Sequence, residues 1–335
     1  MKADILKRIV RAIADGSQRD LERLAELVVE SERRTGHVKL ANQLDAILKK
    51  PRLVKNGKAA PIEGDRSMKE LPLSRRHGEL LATIIPRDAL EHHMVLPAEI
   101  EERFSRIERE YAARERLGAY GLRNRKTVLL YGPPGCGKSL GAKRLAWNTG
   151  LPLLKVRFDA LLSSYFGESA ANLRAVFEAA KERPCVLLLD ECDFIARSRG
   201  DAKDIGEASR IVNSLLQLME EYDAPGLLVA TTNVKTSLDS ALFRRFDDVF
   251  LIPPPGPNEI HKLLSVSLSA VKHADRIDWD KLIKQLNGAS ATMTVKAAQD
   301  AAKAAVLRGE KIVTEPLLEK AIADLKHADH GGDNR

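Results

Sequence analysis

Long hydrophobic runs are missing from this sequence: no uninterrupted apolar stretch among its 335 residues approaches the roughly 20 that a membrane-spanning helix requires. Cysteine is scarce as well. Cys136, Cys185 and Cys192 are odd in number and lack metal-ligand spacing, which argues against a disulfide framework or a cysteine-bound zinc and fits a reducing compartment. No H-E-x-x-H occurs, so the sequence has no zinc-protease motif. Internal repeats and low-complexity tracts are absent too. The N-terminus lacks the apolar core of a secretory signal; Met1 to Gly16 has a basic amphipathic pattern, but Asp4 and Asp15 interrupt it. A cytoplasmic protein is the expectation. What remains is an ordinary globular composition, 44% hydrophobic, with room for one large or two medium domains.

The formal net charge of +7 is concentrated at one end. Met1 to Arg87 carries 19 Lys and Arg against 12 Asp and Glu, whereas Asp88 to Arg335 carries 35 of each. Such a segment can meet nucleic acid, an anionic membrane or an acidic protein, or it can be a solvated linker with dispersed charge. Apolar residues at helical spacing, Ile5-Ile9-Ile13, Leu21-Leu24-Leu27-Val28 and Val38-Leu40-Leu44-Leu48, predict a small helical bundle over residues 1–50. Pro51, Gly57, Pro61 and Gly64 among many charges predict a linker over 51–87. Five strand-like runs follow, Thr127–Tyr131, Leu153–Phe158, Val186–Leu189, Leu227–Thr231 and Val249–Ile252, with helical periods between them. This alternation predicts an α/β fold over residues 88–256, a five-stranded parallel sheet with helices on both faces and ligands at the carboxyl ends of its strands. After Pro253-Pro254-Pro255-Gly256-Pro257 the strand-like patterns stop, and residues 257–327 read as an all-α lid followed by a frayed tail over 328–335.

The loop Gly132-Pro133-Pro134-Gly135-Cys136-Gly137-Lys138-Ser139 follows the first of those strands directly. This G-x-x-x-x-G-K-S pattern is a phosphate-binding turn, in which glycines let backbone N–H groups face the phosphates. Lys138 reaches the β/γ oxygens, and the Ser139 hydroxyl can ligate magnesium. A nucleoside triphosphate is the implied ligand, with ATP and Mg2+ as the expected cofactors. The run Cys185-Val186-Leu187-Leu188-Leu189-Asp190-Glu191 delivers two carboxylates to the end of a strand that is apolar on both faces. Beside a phosphate loop, Asp190 suits the magnesium shell and Glu191 suits polarisation of the attacking water. An acidic turn after a buried strand is the plainer alternative.

These two motifs together resemble the AAA family of P-loop ATPases, over about Val95 to Leu325. The resemblance implies further roles. Leu227-Leu228-Val229-Ala230-Thr231-Thr232-Asn233 is similar to the family's sensor strand, whose terminal polar residue, here Asn233, contacts the γ-phosphate and the lytic water; a buried or capping Asn is the alternative. Leu238 to Asp248 resembles the second region of homology, in which an arginine enters the next subunit's site. Arg245, before Phe246-Asp247, matches that position; the family's upstream arginine is Leu242 here, so either Arg244 substitutes for it or one arginine suffices, and a surface arginine paired with Asp247 or Asp248 is the alternative. Ser163-Ser164-Tyr165-Phe166-Gly167-Glu168 resembles the pore loop, implying that Tyr165 and Phe166 grip a polypeptide while Gly167 permits the turn; aromatics packed under the loop are the alternative. Gly288-Ala289-Ser290 resembles the lid's Gly-x-Ser turn, although Ala291-Thr292-Met293 departs from the family's continuation.

The expected function is therefore that of a Mg-ATP hydrolase forming a ring, with a hexamer as the implied homo-oligomer, that remodels or translocates a protein partner. Two alternatives stand beside it. One is a nucleic-acid-handling ATPase recruited through the basic N-terminal region; the other is a switch for a separate effector such as a serine protease.

Overall fold

In the computed structural model of the chain, residues 71–73, 78–162, 168–192, 205–233, 243–274, 276–310 and 312–330 are described. The expected N-terminal bundle, Tyr165, Phe166 and Gly167 lie outside them. Two compact units divide between Pro254 and Pro255.

The first unit is built on β1 (Ala82–Ile85), α1 (Ala98–Ala112), α2 (Arg114–Ala119), β2 (Thr127–Tyr131), α3 (Lys138–Thr149), β3 (Leu153–Val156), α4 (Phe158–Leu162), α5 (Ser169–Glu182), β4 (Val186–Leu189), α6 (Ile205–Glu220), β5 (Leu227–Thr232) and β6 (Asp248–Leu251). The sheet order is β1-β3-β4-β5-β2-β6. Strands β3, β4, β5, β2 and β6 are mutually parallel, the five expected from sequence. A sixth, β1, lies antiparallel on β3, with Ala82 opposite Val156. It falls inside the segment read as linker, because the apolar run Leu80-Leu81-Ala82-Thr83-Ile84-Ile85 follows a charged stretch and is too short to stand out.

Period-two alternation on the central strands feeds two cores. Val128, Leu130, Val186, Leu188, Leu227 and Val229 face one, shared with Phe104, Ile107 and Leu145 of α1 and α3. Leu129, Leu187, Leu189, Leu228 and Ala230 face the other, with Val176 and Phe177 of α5 and Leu215 of α6. Both faces are buried, as parallel strands require. On the first face Arg144 of α3, itself buried, forms a two-pronged ion pair with Glu101 of α1, both N···O distances 2.6 Å, and a 3.1 Å bond to Glu108. His92 stacks on Trp147, which packs against the first core, with ring centroids 4.0 Å apart.

The second unit holds α7 (Pro257–Ser267), α8 (Trp279–Leu286), α9 (Ala291–Leu307) and α10 (Glu315–His330). Ala297, Ala298 and Ala301 give α9 a small-residue stripe against Ile260, Leu264, Leu318 and Ile322. Side chains cap two of these helices. Asp278 accepts the Lys281 N–H at 3.0 Å and Ser290 accepts the Met293 N–H at 3.2 Å, the N-cap roles these residue types favour. The lid is not purely helical, since β7 (Lys272–His273) and β8 (Ile312–Val313) pair in parallel. Two-residue strands carry no readable period. Helix α10 continues to His330, three residues into the segment read as a tail. Among the described residues no helix is long and apolar enough to cross a membrane.

Candidate active site

The loop after β2 is fixed at both ends. The Gly132 N–H donates to the Thr232 carbonyl at 3.3 Å, and a Cβ at Gly132 would land on the Ile252 carbonyl oxygen, so only glycine fits between β5 and β6 there. Gly137, at φ 96°, forms the left-handed entry to α3, and the Gly141 N–H already bonds its carbonyl at 2.8 Å. Between them Pro133, Pro134 and Gly135 are exposed, while the Cys136 side chain turns down into the apolar core. Cys136 thus serves packing. Lys138 is buried at the start of α3, and its ammonium donates to the carbonyls of Gly132 and Pro133 at 2.8 Å each. An unpaired ammonium there would be costly; two carbonyl acceptors hold it beneath the loop.

Strand β4 brings the carboxylates to the same edge. The Ser139 hydroxyl donates to Asp190 Oδ1 at 2.7 Å, the Thr231 hydroxyl donates to the same oxygen at 2.7 Å, and the Lys155 ammonium donates to Oδ2 at 2.7 Å. Burial pushes the Asp190 carboxyl up, but the hydrogen bonds from Lys155, Ser139 and Thr231 and the Lys155 charge outweigh it and hold the group below its ordinary range. It is therefore ionised at neutral pH. Glu191 is exposed and adopts φ 56°, the one left-handed non-glycine among the described residues. Such a backbone state costs on the order of 1 kcal/mol and needs support from its surroundings. Thr231 supplies it: the same hydroxyl that donates to Asp190 accepts the Glu191 N–H at 2.9 Å, and the Thr231 carbonyl accepts the Cys192 N–H at 2.8 Å. The turn that presents Glu191 is thus pinned to the neighbouring strand.

Asn233 stands one residue beyond Thr232, whose carbonyl ties down the phosphate loop, so it occupies the same carboxyl edge. Residues 128–254 match the family described as "ATPase family associated with various cellular activities (AAA)". The chain is also similar to an "Uncharacterized AAA family ATPase y4kL" of Sinorhizobium fredii (strain NBRC 101917 / NGR234), 32% identical over 326 residues that cover 96% of this chain and 95% of that relative. The chain belongs to the AAA family. As an AAA ATPase it binds nucleotide and hydrolyses ATP.

In this AAA chain Arg244 and Arg245 sit elsewhere, at the amino end of the sheet. Asp247 Oδ2 accepts the N–H groups of Lys126 and Thr127 at 2.8 and 2.9 Å and the Thr127 hydroxyl at 3.0 Å, locking the Arg245-Phe246-Asp247 turn to the start of β2. The phosphate loop leaves the opposite end of that strand, about 13 Å away at 3.3 Å per residue. Asp248 is taken by Arg103 and Arg125. Arg245 pairs with neither aspartate; its guanidinium meets Glu220, at the end of α6, at 2.7 Å. Thr231 and Lys155 are the residues of the site that sequence reading passes over. A lysine interrupting Leu153-Leu154-Lys155-Val156 was the available signal, since a charge in an inner strand needs a partner.

Proposed function

We propose that the protein hydrolyses Mg-ATP at sites completed between adjacent copies of itself and uses the cycle to remodel a protein partner. One observation carries this reading: the phosphate loop and Arg245 lie at opposite ends of the same strand, so Arg245 cannot serve the nucleotide held by its own chain. Within one subunit, backbone N–H groups of residues 135–139 cradle the phosphates and Lys138 binds the β/γ oxygens. Ser139 and Asp190 are hard oxygen donors 2.7 Å apart immediately after the loop. That donor set fits Mg2+, which takes one or two protein oxygens and completes its shell with phosphate and water. The ion, when bound with the nucleotide, neutralises charge on the phosphate oxygens. Glu191 accepts the proton of the attacking water, and Asn233 orients that water against the γ-phosphate.

Arg245 of a neighbouring subunit completes the charge stabilisation, worth on the order of 1,000-fold or more in rate. Its pair with Glu220 is half-exposed on both sides and contributes about 1 kcal/mol or less, so a neighbour's triphosphate outcompetes it readily. Arg244, exposed beside it, supports the same contact. The head-to-tail arrangement closes into a ring, for which we propose a hexamer, with Tyr165, Phe166 and Gly167 lining its pore and residues 1–50 recruiting the partner. Arg245→Ala is expected to retain ATP binding and lose turnover at least 100-fold, while the wild-type rate per subunit rises with protein concentration alongside a larger species in light scattering. A monomer turning over at full rate, with a silent Arg245→Ala, would refute the shared site.

A further inference from the structure

Lys155 does more than neutralise a buried carboxylate. It lies in β3, an inner strand between β1 and β4, in a run otherwise composed of leucine and valine. Its side chain is 45% exposed, whereas that of Asp190 is 12% exposed, so the ammonium reaches in from solvent to a group already hydrogen-bonded by Ser139 and Thr231. Those two hydroxyls share Oδ1, and among the described residues Lys155 is what holds Oδ2, at 2.7 Å. A neutral donor or water would satisfy Oδ2 as well. What an ammonium adds is a full positive charge on the carboxylate that the proposed function assigns to the magnesium shell.

We infer that Lys155 is a competitor of Mg2+ for Asp190, setting the magnesium concentration at which the subunit retains its nucleotide. The inference rests on the reading of Ser139 and Asp190 as the magnesium donors. Lys155 holds Oδ2 with a charge-assisted hydrogen bond while Ser139 meets Oδ1, so a magnesium ion held by Ser139 and Asp190 would share one carboxylate with the ammonium, and two cations within a few ångström of each other repel. Lys155 would therefore oppose magnesium at this carboxylate, and its long exposed stem lets it swing away at little cost in packing. Lys155 acts through Asp190 and is a positioning residue, not a catalytic one.

The test is retention of a fluorescent ATP analogue during Mg2+ titration, with EDTA-treated protein as the starting point. Lys155→Met is expected to lower the half-saturating Mg2+ concentration roughly tenfold, the scale of removing one like charge from a partly exposed site, while Lys155→Arg stays within about twofold of wild type. Thermal melting without nucleotide checks folding, and Lys155→Gln replaces Met if the Met variant melts early. A midpoint that Lys155→Met leaves unchanged or raises overturns the inference alone. Wild-type retention that ignores Mg2+ overturns it together with the magnesium reading beneath it.

Discussion

The Thr231 hydroxyl makes two hydrogen bonds that no backbone group could make in its place: it gives its proton to Asp190 and takes that of the Glu191 amide. One side chain, 1% exposed and set in the core of β5, thereby holds both the Asp190 carboxylate and the backbone of Glu191. Thr231→Val keeps the volume and removes both bonds. It should cost about 1–3 kcal/mol in stability, the penalty for stranding buried polar partners, which denaturant unfolding would measure. Turnover should fall on the order of 10- to 100-fold with ATP binding largely retained, because Glu191 loses the support of its left-handed backbone and shifts from the position in which we propose it activates water. Thr231→Ser, which keeps the hydroxyl, should restore most of both; equal loss in Ser and Val would show that the methyl group matters instead.

At the scale of elements, α3 is the piece that joins the phosphate loop to the core, and its hold on α1 runs through Arg144. The hydrogen bonds from Arg144 keep Glu101 below its ordinary pKa of 4.5, against the opposing effect of burial. A carboxylate depressed in the native state contributes stability that is fully present above its unfolded value, near 4.5, and lost as pH falls through the lower native value. Melting temperature should therefore decline below about pH 4.5, and Arg144→Met should remove part of that decline. At neutral pH the same variant should be roughly 2 kcal/mol less stable, a figure reduced from the buried-pair range because Glu101 is half-exposed. A variant with the wild-type pH slope would sink this account.

Elements also show how far sequence alone reaches. β2 and β4 match their expected bounds to the residue, because each is an apolar run bounded by turn or polar residues. β1 escapes notice as a short edge strand after charged residues, and β7 and β8 escape because two residues cannot show a period. In the site, Lys138, Ser139, Asp190 and Glu191 are legible because their order along the chain carries the chemistry. Lys155 and Thr231 are not: they meet Asp190 from 35 and 41 residues away, through strand neighbours and side-chain reach that composition does not encode. The partner of Arg245 was illegible for the same reason, since Glu220 comes from a helix that precedes β5.

For the whole molecule, a site divided between copies makes a sharp complementation prediction. Arg245→Ala keeps an intact nucleotide site without a donor arginine, and Glu191→Gln keeps the arginine beside a site that cannot activate water. Each should be inactive alone. Mixed in equal amounts and allowed to exchange, they should recover about a quarter of the wild-type rate, the share of random head-to-tail contacts that join a good arginine to a good site. No recovery from exchanging subunits would mean that the arginine does not act across a boundary.

Separating Lys138 from Arg245 along one strand also makes chain ends matter. In any row of copies joined head to tail, the last phosphate loop faces solvent with no arginine to reach it. A pair thus idles half of its loops, longer rows idle a shrinking fraction, and closure idles none. The specific rate would climb with row length and level off at closure even if no subunit ever changed shape, so a steep dependence on protein concentration would reflect the counting of ends before it reflected any communication between sites.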